Sequence, residues 1–196
     1  MPARDVQFVQ GQYYHVFNRG INRQSIFRDD DDFIAFLTRI KKHCIRFKIV
    51  VIAYCLMPNH FHFLMRQDGE IPVRKAIELT GNGYVQHYNH RHKRTGTLFE
   101  GRFKALLVDD DEYIHHLCRY IHGNPVKDGF ALRPELWSYS NYQEWCGTRN
   151  GTLVDRTFIT DHFGTPSRYT EYLYDYLQNR AKLPTTLAAY LSSLME

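Results

Sequence analysis

His60-Phe61-His62 places two imidazoles two residues apart inside an apolar run, with Leu56-Met57 before it and Phe63-Leu64-Met65 after it. Strand alternation with period two would send both histidines out of one face, while Phe61, Phe63 and Met65 pack on the other. Two imidazoles on one face can hold a single metal ion. The plain alternative is a half-exposed strand in a chain that contains 11 histidines. The pair needs companions before it means chemistry.

Those companions come from Asp111 to Pro125, DEYIHHLCRYIHGNP. On a helix, residues four apart share a face, so Tyr120 and Asn124 project together, with His116 one turn earlier. Ile114, Leu117, Cys118 and Ile121 form another face that can pack on a sheet. Two neutral imidazoles and an amide oxygen would leave a bound divalent ion its full charge, a Lewis acid for a phosphodiester oxygen. A tyrosine hydroxyl, with a pKa of about 10, is a poor nucleophile unless its anion is stabilised. The phosphotyrosine ester that it forms can be attacked again, which suits strand transfer better than hydrolysis. Taken singly, Tyr120 is one of 14 tyrosines, a residue type that usually packs with its hydroxyl bonded. Asn124 before Pro125 is, by itself, a turn residue.

A third set is basic and aromatic. Residues 88–104, YNHRHKRTGTLFEGRFK, carry Arg91, Lys93, Arg94, Arg102 and Lys104 against one acid, Glu100, with Tyr88, Phe99 and Phe103 interleaved. Cations that neutralise phosphates beside rings that stack on bases are what single-strand binding needs. Without a nucleic acid, the same residues read as a solvated helix end and a hairpin tip.

The elements that must position these groups follow from pattern. Residues 12–18 are aromatic and β-branched and stop at Gly20, a first strand. Asp29 to Asp32 opens a helix whose apolar positions are Phe33, Phe36, Leu37 and Ile40. Residues 48–57 and 60–66 form two antiparallel strands around the turn Met57-Pro58-Asn59. A helical stretch from about 73 to 92 contains Gly81 and Gly83 as interruptions. Residues 103–108 make a fourth strand, and Asp109 to Glu112 starts a helix that Gly123 and Pro125 stop near His122. The order β-α-β-β-α-β-α describes an α+β, ferredoxin-like antiparallel sheet with helices on one face. Beyond Phe130 the pattern weakens, except for an amphipathic helix over 167–180 with Tyr169, Tyr172, Leu173, Tyr176 and Leu177.

At 196 residues the chain suits one domain with a C-terminal extension, residues 1–145 and a mainly helical 146–196. The formal charge of +4 fits a polyanion partner without demanding one. Cys44, Cys55, Cys118 and Cys146 show no CxxC spacing, so reduced thiols in a cytoplasm are expected rather than a zinc finger or disulfide framework. Residues 1–12 lack the apolar core of a signal peptide, and residues 49–58 are too few to span a bilayer, so no membrane partner is expected.

Taken in order, YYHVFNRG, LMPNHFHFLM, YNHRHKRTGTLFEGRFK and CRYIHGNPVKDG resemble the Y1-type transposases of bacterial insertion sequences, and most of all their REP-associated tyrosine transposase relatives. The resemblance runs from about residue 12 to 142 and includes Trp137-Ser138-Tyr139-Ser140. It implies an HUH single-strand DNA endonuclease acting on hairpin or repeat ends. In that family pattern His60 and His62 bind Mg²⁺ or Mn²⁺, and Asn124 stands where some insertion-sequence members have a Gln ligand. Tyr120 is then the nucleophile, leaving a 5′-phosphotyrosine link and a free 3′-hydroxyl. Ligand chemistry alone would favour Zn²⁺ or Mn²⁺ over Mg²⁺ at imidazole nitrogens. The resemblance also implies a homodimer as one arrangement, with Tyr120 of one copy facing the histidines of another. Two rivals remain at this level. One is a non-catalytic binding module of the same fold, which needs neither metal nor Tyr120. The other is a barrel metallohydrolase, for which about 250 residues are typical.

Overall fold

Strands β1 (Tyr13–Arg19), β2 (Ile49–Met57), β3 (His60–Gln67) and β4 (Lys104–Val108) form one antiparallel sheet in the order β2-β3-β1-β4. This is a computed structural model, and it describes residues 6–195, so the first five residues of the polar N-terminal segment lie outside the described residues. Register fixes which side chains share a face. Phe17 pairs with His62 and Arg19 with His60 across β1 and β3, while Cys55 and Met57 of β2 flank the same histidines.

One face is covered by α1 (Asp30–Phe47) and α2 (Val73–Arg91). The Asp29 carboxylate caps α1 by accepting from the Asp32 N–H, and Asp30 to Asp32 sit at the positive end of the helix dipole. Lys48 ends the helix in a left-handed conformation, φ 52°. Phe33, Phe36, Ile40 and Cys44 then pack with Tyr14, Val16, Phe61, Phe63 and Met65 in one apolar cluster. α2 runs unbroken through Gly81 and Gly83, against the interruption that glycine predicts. A helical glycine costs about 1 kcal/mol, and the buried stripe Val73, Ala76, Ile77, Thr80, Tyr84 and Tyr88 offsets it.

The opposite face carries α3 (Asp111–Lys127), capped by Asp110, whose carboxylate accepts the Tyr113 N–H at 2.8 Å. The stop expected near His122 does not occur. The helix continues through Gly123, Asn124 and Pro125, all three buried. A proline here forfeits one helical hydrogen bond, but it falls in the last turn and its neighbours are packed. An added Cβ at Gly123 would lie 3.1 Å from both Tyr176 and Leu177.

The remaining helices, α4 (Tyr142–Trp145), α5 (Arg156–Phe163), α6 (Pro166–Leu177) and α7 (Thr185–Met195), lie on this second face as well. Trp145, Phe158, Tyr169, Leu173 and Leu191 join Phe17, Leu64, Ile114, Leu117 and Ile121 in a second cluster. Helices therefore cover both faces: the ferredoxin-like description holds for the sheet with α1 and α2, and α3 with the tail closes the other side. Buried His122 ties the two parts, bonding Tyr169 Oη and, at 2.9 Å, Asn141 Oδ1. Asn141 accepts the Tyr54 N–H and donates to Ile52, spanning the bulge of β2. Among the described residues no helix is long and apolar enough to cross a membrane.

Candidate active site

β3 supplies the histidines. His60 and His62 leave the face that α3 covers, and both are buried, their rings 5.1 Å apart at 83°. Burial holds His60 down at about pKa 4 and His62 well below its ordinary value, with neighbouring imidazoles adding to the effect on His62. Both are neutral at pH 7, the form in which an imidazole can lend a lone pair.

α3 supplies the partners. Asn124 Oδ1 lies 3.0 Å from His60 Nε2. One turn earlier, the Tyr120 ring meets His62 edge to face, centroids 5.2 Å apart. Burial raises the Tyr120 phenol above its ordinary pKa, the Tyr176 phenol and the Asp128 carboxylate push it the same way, and a hydrogen bond with Asn124 opposes them. Tyr120, Asn124, His60 and His62 are thus one contiguous group within a single chain.

Polar bookkeeping in this group is incomplete in two places. His62 Nε2 is buried without a hydrogen-bond partner. His60 faces an oxygen at each nitrogen, Asn59 Oδ1 at 2.7 Å and Asn124 Oδ1 at 3.0 Å. A neutral imidazole has one N–H, so one of those contacts opposes two lone pairs. A cation among His60 Nε2, His62 Nε2 and Asn124 Oδ1 would resolve both anomalies, and two imidazoles with an amide oxygen suit Mn²⁺ better than Mg²⁺. Among the described residues no group of three or more His, Cys, Asp or Glu could hold a metal; the candidate set is completed by an amide instead.

The basic segment is arranged differently from its sequence pattern. Tyr88 is fully buried and its hydroxyl donates to Ser25 O at 3.1 Å, so its ring offers no stacking face. The helical stripe that packs α2 on α1 claims it, and the guanidinium groups of Arg28 and Arg94 cover it at 5.5 and 5.8 Å. Arg91 is tied to Asp29, Asp31 and Asp32 at 2.8 to 3.0 Å. Arg94 donates to Thr97 O and Lys104 to Ser193 O. Lys93, Arg102 and Lys104 are exposed.

Three neighbours were outside the residues that sequence reasoning singled out. His15, on β1, places Nε2 at 3.0 Å from His62 Nδ1, and Tyr190 of α7 places its hydroxyl 3.1 Å from His15 Nδ1. Arg19, paired with Glu100, sits opposite His60 and helps depress its pKa. Alternation in YYHVFNR puts His15 on the face of Phe17, but only strand register brings it to His62.

Comparison with known proteins bears on the family and the fold. A family model described as IS200-like transposase matches residues 8–124, more than half of the chain. A Haemophilus influenzae protein, provisionally named a REP-associated tyrosine transposase, is 26% identical over 117 residues, which span 55% of this chain and 66% of that one. The chain therefore covers just under two thirds of that relative's length. The solved structure of a REP-associated tyrosine transposase bound to a REP hairpin superposes with a TM-score of 0.62 at 16% identity, over 79% of this chain and 94% of that one. At that identity the likeness establishes the fold. With sheet order, site-bearing strand and matched segment all falling within the same region, the protein belongs to the IS200-like, Y1 transposase family.

Proposed function

We propose that the chain is a metal-dependent endonuclease and strand transferase for single-stranded DNA, with Tyr120 as nucleophile and His60, His62 and Asn124 as metal ligands. The observation that carries this reading is the meeting of Tyr120 and Asn124 on α3 with both histidines of β3 in one chain. Tyr120 Oη attacks a backbone phosphorus and gives up its proton to solvent, the bond from phosphorus to the 3′-oxygen breaks, and that oxygen takes up a proton. The products are a 5′-phosphotyrosine and a free 3′-hydroxyl, and attack by a 3′-hydroxyl on that ester restores a phosphodiester. A bound Mn²⁺ or Mg²⁺ would polarise the phosphate and lower the cost of the phenolate.

With all four residues in one chain, this reading takes the arrangement in which a single copy carries the whole site. Residues 1–145 hold the reacting groups, and 146–196 support α3 from behind. The substrate is single-stranded DNA flanked by a hairpin, by analogy with the hairpin-bound neighbour, met in the cytoplasm where a chromosome is accessible. Lys93, Arg102 and Lys104 are the exposed cations that would meet phosphates.

The test is incubation with hairpin oligonucleotides carrying single-stranded flanks and Mn²⁺, followed by a search for a protein–DNA band that survives SDS. Wild type forms the band and EDTA removes it. A band that persists in Tyr120→Phe would show that another residue attacks.

A further inference from the structure

We propose that His15 is a positioning residue that fixes the tautomer of His62 and so aims its Nε2 lone pair at the metal. The inference rests on the reading of His62 as a metal ligand and extends it to a residue on a different strand.

The geometry is that of a hydrogen bond in the plane of both rings. The His15 and His62 planes differ by 9°, their centroids are 5.2 Å apart, and Nε2 of one lies 3.0 Å from Nδ1 of the other. Atoms of parallel rings cannot approach closer than the ring planes do, and stacked carbons stand about 3.5 Å apart or more. A 3.0 Å contact therefore places the rings edge to edge rather than face to face. Both residues are fully buried, so water does not supply a substitute partner.

Each neutral imidazole has one N–H, and that constraint leaves a single consistent order for a metal-binding His62. Its Nε2 must carry the lone pair, so the proton sits on Nδ1 and is donated to His15 Nε2. His15 then carries its own proton on Nδ1, which faces the Tyr190 hydroxyl oxygen at 3.1 Å. In the opposite order Tyr190 donates to His15, His15 donates to His62 Nδ1, and His62 Nε2–H becomes a buried donor with nothing to accept it. The unpartnered Nε2 can be satisfied by a cation only in the first order, where it carries a lone pair. Metal-bound histidines commonly donate their second N–H to an acceptor that orients the ring, and loss of that acceptor weakens metal binding by about 10- to 100-fold. Here the acceptor is another imidazole.

Two substitutions separate orientation from mere packing. In His15→Gln the amide oxygen reaches the place of Nε2, whereas in His15→Asn it stops near the place of Nδ1. Mn²⁺ binding is followed without DNA by the loss of the free-ion EPR signal, and hairpin affinity is measured in EDTA. Gln is expected to bind Mn²⁺ within about threefold of wild type, and Asn about 10- to 100-fold more weakly. Both keep their metal-free hairpin affinity, and the Asn variant regains its adduct rate at saturating Mn²⁺. Equal Mn²⁺ affinity in the two variants overturns the relay. Wild type no better than His62→Ala in Mn²⁺ uptake overturns the metal reading itself, and the relay with it. A measurement free of any variant is ¹⁵N NMR of the wild-type histidines. It should show His62 protonated at Nδ1 with a scalar coupling to His15 Nε2, and an Nε2–H tautomer of His62 overturns the proposal.

Discussion

The two faces of β3 are built by one alternation and serve opposite ends. Phe61, Phe63 and Met65 point toward α1 and α2 into a cluster of rings and aliphatic groups. Tyr84 and Tyr88 in that cluster donate their hydroxyls to backbone carbonyls, those of Ile26 and Ser25. His60 and His62 point the other way, into a buried chain of imidazoles, amide and phenols that ends at an unpartnered nitrogen. The first face holds the fold whatever the solution contains. The second keeps its imidazoles neutral by burial and leaves one ring nitrogen without a partner. The comparison shows a division of labour within eight residues of one strand.

The sharpest break of that comparison is Tyr120→Phe. It removes one oxygen from the histidine face, and all SDS-resistant adduct should disappear while hairpin binding in gel shift is unchanged. A loss of binding as large as the loss of adduct would assign Tyr120 to recognition instead. On the other face, Phe63→Ala should cost about 3–5 kcal/mol in denaturant unfolding, yet the folded fraction should take up Mn²⁺ like wild type. A selective loss of metal affinity there would mean that the faces are coupled.

Acid separates them next. Burial holds His60 and His122 at about pKa 4 and His15 at about 3. The unfolded chain, with imidazoles at their ordinary 6.5, binds more protons than the native one between those limits. Stability from these residues is therefore complete above pH 6.5 and is lost as the pH falls toward 4, by about 1.4 kcal/mol per pH unit for each histidine. Denaturant curves at stepped pH should show this slope in wild type and in Phe63→Ala. His122→Asn should reduce it by roughly one proton, and identical stability at both ends of the window would contradict the buried neutral state.

The smallest expected effect lies in the basic segment. Lys93→Ala should lower the salt dependence of single-strand binding by about 0.7 in log–log slope. Arg91→Ala should change it less, because three aspartates already hold that charge. Equal changes would mean that DNA draws Arg91 out of its ion pairs.

Much of this was legible in the chain. The alternation of HFHFLM gave β3 and the opposed faces, and the i, i+4 spacing of Tyr120 and Asn124 gave their common side. The continuation of α3 through Pro125 was not, because local propensity ends the helix at Gly123, whereas the native segment is held by burial of Gly123, Asn124 and Pro125 and by the contact of Asn124 with His60. Tyr88 illustrates the same limit. Among arginines it reads as a stacking platform, while its place on the packing stripe of α2 buries it. His15 escaped because one strand's pattern cannot state what its neighbour's register places beside it. A histidine's second partner is a tertiary fact.

Gly123 sets how closely α6 approaches α3, since Tyr176 and Leu177 already fill the space a side chain would need. Tyr176 is also among the groups that make Tyr120 reluctant to ionise. The absent methyl thus acts as a spacer of zero thickness between the tail and α3, the helix of the proposed nucleophile. An alanine at 123 would require the Tyr176 and Leu177 side chains to give by a few tenths of an ångström. The setting of Tyr120 can accordingly be retuned, in evolution or by design, through a position on the far side of the α3–α6 contact.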